Sequence, residues 1–190
     1  HQLNSKLYEY ANKNNNFFIN DINYLSSWIG LEKWSEPSYW YLYKYCLNME
    51  HIPILCNSIA NIIKSILGKN KKALVLDLDN TLWGGVIGDD GVEAIEIGYE
   101  TPEGAAYYEF QKYIKKLSKL GVVLNVCSKN ENEIARLGFS HPASALNVSD
   151  FILFKANWVE KYKNITEIIE ELNIMADSVV FIDDNQMERD

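Results

Sequence analysis

The sequence predicts an α/β protein: a parallel sheet with flanking helices, preceded by a mostly helical, aromatic-rich segment. Three observations carry that expectation. After residue 71, short apolar runs of strand length alternate with longer stretches of helical period. Each of those runs ends on a polar residue. The composition also changes at Lys71-Lys72: residues 1–72 hold eight basic and five acidic side chains, residues 73–190 ten basic and 21 acidic. The division is therefore residues 1–70, an N-terminal segment belonging to a longer upstream domain, and residues 71–190, an α/β core.

The elements follow in chain order. Phe17-Phe18-Ile19 is a short apolar run that suits a strand or a helix start. Leu25 to Ile29 reads as a short helix stopped by Gly30. In Tyr39 to Tyr45 the tyrosines alternate as in a strand, but Trp40 and Leu42 between them are apolar too, so the period is ambiguous. This aromatic cluster reads as packing against the next domain rather than as a stacking platform. Ile52, Leu55, Ile59, Ile62, Ile63 and Ile66 share one helical face, with Gly68 as the stop. Ala73 to Leu76 is a buried strand ending at Asp77. Glycines 84, 85, 88 and 91 mark a turn-rich stretch to Gly98; Pro102 opens a long helix that Gly121 ends. Val122 to Cys127 is the second strand, ending at Ser128. A helix through Ile165, Ile168, Ile169 and Leu172 leads to the third, Ser178 to Ile182, ending at Asp183-Asp184. Alternation of this kind gives a Rossmann-like parallel sheet with right-handed crossovers.

Charge and cysteine content exclude several classes. A net charge of −8 and a pI near 4.9 do not suit a protein that binds nucleic acid through phosphates, nor a basic membrane-surface binder. Cys46, Cys56 and Cys127 are odd in number and lack CxxC spacing, against a disulfide framework or a cysteine zinc site. No signal-like opening and no apolar run of membrane-spanning length is visible, so a cytoplasmic location is expected. The stop at Asp190 reads as a cut within a longer protein.

Polar residues collect at the carboxyl ends of three strands: Asp77 and Asp79, then Ser128, then Asp183 and Asp184. That edge is where open α/β sheets bind ligands. Lys161, at the start of the last long helix, can reach it; Lys155 and Lys163 are its neighbouring alternatives. Crowded carboxylates cannot all stay ionised without a cation, and oxygen-only ligands suit a hard ion such as Mg²⁺. A carboxylate beside such an ion can attack phosphorus. A second acid two residues on can protonate the leaving oxygen and then activate water. A hydroxyl and a lysine can hold the phosphoryl oxygens.

Asp77-Leu78-Asp79-Asn80-Thr81 matches the DxDxT motif of haloacid dehalogenase (HAD) superfamily phosphatases. The longer run Leu76 to Gly88 resembles the FkbH-like group, subfamily IIIC. So do Val126-Cys127-Ser128-Lys129-Asn130, Asn157-Trp158 with Lys161 and Asn164-Ile165, and Val180 to Asn185. Gln186 departs from it, standing where the group has proline. The resemblance spans about residues 70–190 and implies a HAD-like phosphatase core. It implies Asp77 as nucleophile and Mg²⁺ ligand. Asp79 becomes the acid/base, with its main-chain carbonyl on the metal, and Thr81 orients the first loop. Ser128 binds the phosphoryl group, and Lys161 pairs with Asp77 and the phosphate. Asp184 is implied as the direct metal ligand, supported by Asp183.

Between Thr81 and Ser128 lie 46 residues, and between Ser128 and Lys161 lie 32. The elements expected there use them up, so the core is expected to be capless with an open site. The resemblance further implies action on a phosphorylated small molecule, 1,3-bisphosphoglycerate, with the glyceryl group loaded onto an acyl carrier protein in a biosynthetic pathway. Cys127 is a candidate acyl-carrying thiol; the alternative is an inert strand cysteine facing away from Ser128. Two other classes remain beside this enzyme: a receiver-like phospho-acceptor domain and a non-catalytic scaffold. A receiver has its acidic pair first in the chain; here the pair comes last and Asp79 adds a hydrolytic acid/base.

Overall fold

A computed structural model describes residues 2–189. The chain forms two compact units that divide between Asn70 and Lys71.

The first unit is helical: α1 Gln2–Lys13, α2 Ile22–Ile29, α3 Leu31–Trp34, α4 Pro37–Tyr43 and α5 Ile52–Ile66. The Asp21 carboxylate caps α2 by accepting the Tyr24 N–H at 2.9 Å, and Gly30, at φ 99°, lets the chain leave it. The ambiguous tyrosine stretch is helix as far as Tyr43, and local chemistry explains it. Glu36 accepts the Ser38 N–H and Pro37 occupies the first turn, so α4 is started from outside the alternating pattern. Tyr39 and Tyr43 then meet edge-on at 5.9 Å, as residues four apart do on a helix. Phe17 to Ile19 form neither strand nor helix.

The second unit holds β1 Ala73–Leu76, α6 Ile87–Asp90, α7 Pro102–Lys119, β2 Val123–Ser128, α8 Asn132–Leu137, β3 Phe151–Ala156, α9 Lys161–Leu172, β4 Val179–Ile182 and α10 Gln186–Arg189. The strands are parallel in the order β3-β2-β1-β4. β1 is central and buried along its whole length, which is why it reads as an unbroken apolar run. The apolar pattern predicts three strands; the sheet has a fourth, β3, at its edge. Ile152 on β3 is exposed, and this half-buried edge lacks the continuous burial that marks β1.

Alternation divides two cores. Leu74, Leu76, Leu124 and Val126 pack with Ile114 of α7 and Ala135 of α8, while Val75 and Cys127 pack with Ile168 of α9. Between Thr81 and Ser128 the chain makes only a turn-rich excursion, closed by the antiparallel bridge Gly84–Glu96, and then α7. Between Ser128 and Lys161 it makes α8 and β3. No further folded unit stands in either interval among the described residues.

The register sets the site. Leu76 pairs with Val126 on one side and Ile182 on the other. One residue further on, Asp77 and Asp183 flank each other, and the Asp77 N–H continues the ladder to the Ile182 carbonyl at 3.0 Å.

Candidate functional site

Lys161 is the centre of the cluster. It is the first residue of α9, and its ammonium lies 2.8 Å from Asp77 Oδ2 and 2.5 Å from Asp183 Oδ2. All three residues are buried, with exposures of 4%, 7% and 2%. Burial by itself pushes the Lys161 pKa down, but the two carboxylates outweigh it and the ammonium is held above its ordinary value. Burial pushes the Asp77 carboxyl up, and the Lys161 ammonium and Ser128 hydroxyl offset only part of that rise.

Both oxygens of Asp183 have a partner: beside the Lys161 contact, its second oxygen accepts the Asn185 N–H at 2.9 Å. Asn185 Oδ1 in turn accepts the Met187 N–H, so the loop carrying Gln186 closes into α10 without a proline. Asp77 has a partner on one oxygen only. Its Oδ1 is buried with no hydrogen-bond partner, and Thr81 Oγ1 is in the same condition. Unpaired buried acceptors are costly, and each calls for an explanation such as a bound ion or water or a catalytic role.

Asp79 is held differently. Its Oδ1 accepts the Trp83 indole N–H at 2.9 Å and the Ile87 main-chain N–H at 3.0 Å, and its Oδ2 accepts the Asn130 amide at 2.9 Å. The sharp turn that follows needs Asn80 at φ 54°, whose side chain accepts the Gly85 N–H. Trp83 is wholly buried, edge-on to Phe139 at 5.3 Å. Gly138 lies under its ring so closely that a Cβ there would come within 2.5 Å. The motif reading named neither Trp83 nor Asn130 as functional; the available signal was Asn130 standing two residues beyond a strand-end serine.

Ser128 is buried at the end of β2 and its carbonyl accepts the Asn157 N–H at 3.1 Å. Asp184 is exposed, and no hydrogen bond to its carboxylate is present among the described residues. Lys155 pairs with Glu167 and Glu171, and Lys163 with Glu160, so neither joins the cluster. Cys127 lies on the other face, packed with Val75 and Ile168, and its thiol donates to the Lys161 carbonyl at 3.7 Å. Burial pushes the thiol up to about 12. A thiol in that state is not a nucleophile at neutral pH.

The residues fit a hard cation. Carboxylate oxygens of Asp77, Asp183 and Asp184 all lie within 4.8 Å of one another. The donors are oxygen only, and the partnerless Asp77 Oδ1 is an acceptor that a cation would satisfy.

Fold and site together define a class: a Rossmann-like parallel sheet, with no inserted domain among the described residues, whose carboxyl edge gathers acidic groups around one buried lysine. Neither a family model nor a curated protein matches the chain. Among solved structures it is similar to the N-terminal part of the protein BF1531 from Bacteroides fragilis, which contains a phosphatase domain and was crystallised in complex with Mg. Identity is 41% and the TM-score 0.91, over 99% of this chain and 50% of that one. The chain therefore spans about half the length of that solved chain. No helix among the described residues is long and apolar enough to cross a membrane.

Proposed function

We propose that the chain is a Mg²⁺-dependent phosphatase of haloacid dehalogenase type that works through an aspartyl phosphate on Asp77. The observation that carries this reading is the buried Lys161 shared by Asp77 and Asp183, beside an Asp77 oxygen with no partner. The Mg-bound phosphatase domain of the similar structure supports it.

Mg²⁺ held by Asp77, Asp184 and the Asp79 carbonyl, with Asp183 behind, would supply the positive charge that lets a carboxylate approach a phosphoryl group. Asp77 attacks phosphorus through a carboxylate oxygen, and Lys161 holds its ammonium against that carboxylate and the phosphoryl group. Asp79 gives a proton to the leaving oxygen, then takes one from the water that cleaves the aspartyl phosphate. Ser128 donates its hydroxyl to the transferring group, and Thr81 orients the first loop.

The finer reading is FkbH-like: removal of phosphate from a phosphoglyceryl substrate such as 1,3-bisphosphoglycerate, with the acyl group passed to a carrier protein in the cytoplasm. The absence of a folded cap among the described residues suits a substrate delivered by a macromolecule. The burial of Cys127 favours placing the acceptor thiol on the carrier rather than on this chain.

Phosphate release from p-nitrophenyl phosphate tests the first level. Wild type requires Mg²⁺, and Asp77→Asn loses on the order of 10³-fold or more; equal rates in the two would end the reading. For the second level, the carrier is weighed after incubation with enzyme and 1,3-bisphosphoglycerate. No glyceryl adduct on an active preparation removes the acyl-transfer step and leaves the phosphatase.

A further inference from the structure

Asn130 is 5% exposed, and its amide orientation is fixed from both ends. Its Oδ1 accepts the Glu131 N–H at 3.0 Å, so Nδ2 must be the atom that meets Asp79 Oδ2. A flipped amide would face N–H to N–H at one end and oxygen to oxygen at the other.

A carboxylate offers about four lone-pair sites. On Asp79 three are occupied: two on Oδ1, by Trp83 and Ile87, and one on Oδ2, by Asn130. The site left open is on Oδ2. The geometry points to Asn130 as a positioning residue that makes Asp79 Oδ2 the proton-transferring oxygen. This rests on the acid/base reading of Asp79 given above.

The proton balance is simple. In the first step the O–H bond on Oδ2 breaks and one forms on the leaving oxygen. The phosphorus bond to that oxygen breaks as a bond to Asp77 forms. In the second step Oδ2 takes a proton from water, whose oxygen bonds to phosphorus as the bond to Asp77 breaks. Trp83 and Ile87 hold the opposite oxygen throughout. Of the three donors, Asn130 alone touches the oxygen whose bonding changes.

A leaving-group comparison tests this. Nitrophenolate leaves as a stable anion and needs little protonation, whereas the alkoxide of glycerol phosphate needs a full proton. In Asn130→Ala, kcat/KM on glycerol phosphate falls about 30- to 100-fold, while on p-nitrophenyl phosphate it falls about threefold or less. Asn130→Asp keeps the shape and the Glu131 contact but turns the donor into an acceptor, and shows the same selective loss; it decides the matter if the alanine variant does not fold. Equal losses on both substrates, or none on either, overturn the assignment of Asn130 while wild-type turnover leaves the site reading intact. A wild type with no Mg²⁺-dependent turnover of either ester overturns that reading and this assignment together.

Discussion

Asp77 and Asp79 lie two residues apart in opposite surroundings. The strand edge around Asp77 is unfinished: a carboxylate under burial, one oxygen without a partner, and one lysine serving two acids. The loop around Asp79 is finished: three N–H donors, one from a fully buried indole braced by Gly138 and Phe139. On the proposed mechanism the difference separates two jobs. A group that must bond to an incoming atom is left with an open valence of contacts, and a group that must aim a proton is fixed on all sides but one.

The largest effect on this contrast comes from Lys161→Met. Two buried carboxylates would lose the cation they share, at a cost of about 3–5 kcal/mol in denaturant unfolding. An unchanged midpoint would mean that the acids are not charged in the fold. Next is Mg²⁺ itself, which should finish the unfinished side. At a concentration of about 100 times its Kd it raises unfolding stability by roughly 2.7 kcal/mol, and this gain is absent in Asp77→Asn. Gly138→Ala acts on the finished side: its Cβ would push against Trp83, costing about 1–3 kcal/mol and lowering turnover through the displaced Asp79. A variant as stable as wild type would show that the indole is not braced.

Smaller still is a direction set by charge burial. A raised Asp77 carboxyl means that the folded chain binds that proton more tightly than the unfolded one. Its contribution is favourable at low pH and is lost as pH rises through the carboxylate range. Metal-free Asp77→Asn therefore shows a more positive slope of stability against pH there than wild type. Last, native alkylation should label the exposed Cys46 and Cys56 and spare Cys127; rapid labelling of Cys127 would reopen its role as an acyl-carrying thiol.

The strand-end residues were legible because parallel strands are continuous apolar runs, so the first polar residue after each marks the sheet edge. Asp77, Ser128 and Asp183 were found that way. β3 was not, since Asp150 and Lys155 bracket only four apolar residues and the strand lies at a half-exposed edge. α4 was obscured because its start depends on Glu36 and Pro37, outside the tyrosine pattern. The link from Asn130 to Asp79 spans 51 residues and exists only once β1 and β2 are in register. No local period encodes such a bond. Cys127 takes the face of β2 that packs on Val75 and Ile168, as strand alternation implies.

The central claim is that phosphate passes through Asp77. Its most direct test is rapid acid quenching of wild type with Mg²⁺ and a phosphate ester, followed by peptide mapping. The account predicts a transient phosphate on the peptide holding Asp77, at the carboxylate itself. Steady release of phosphate with no modified Asp77, or with the label on Ser128 instead, would contradict it.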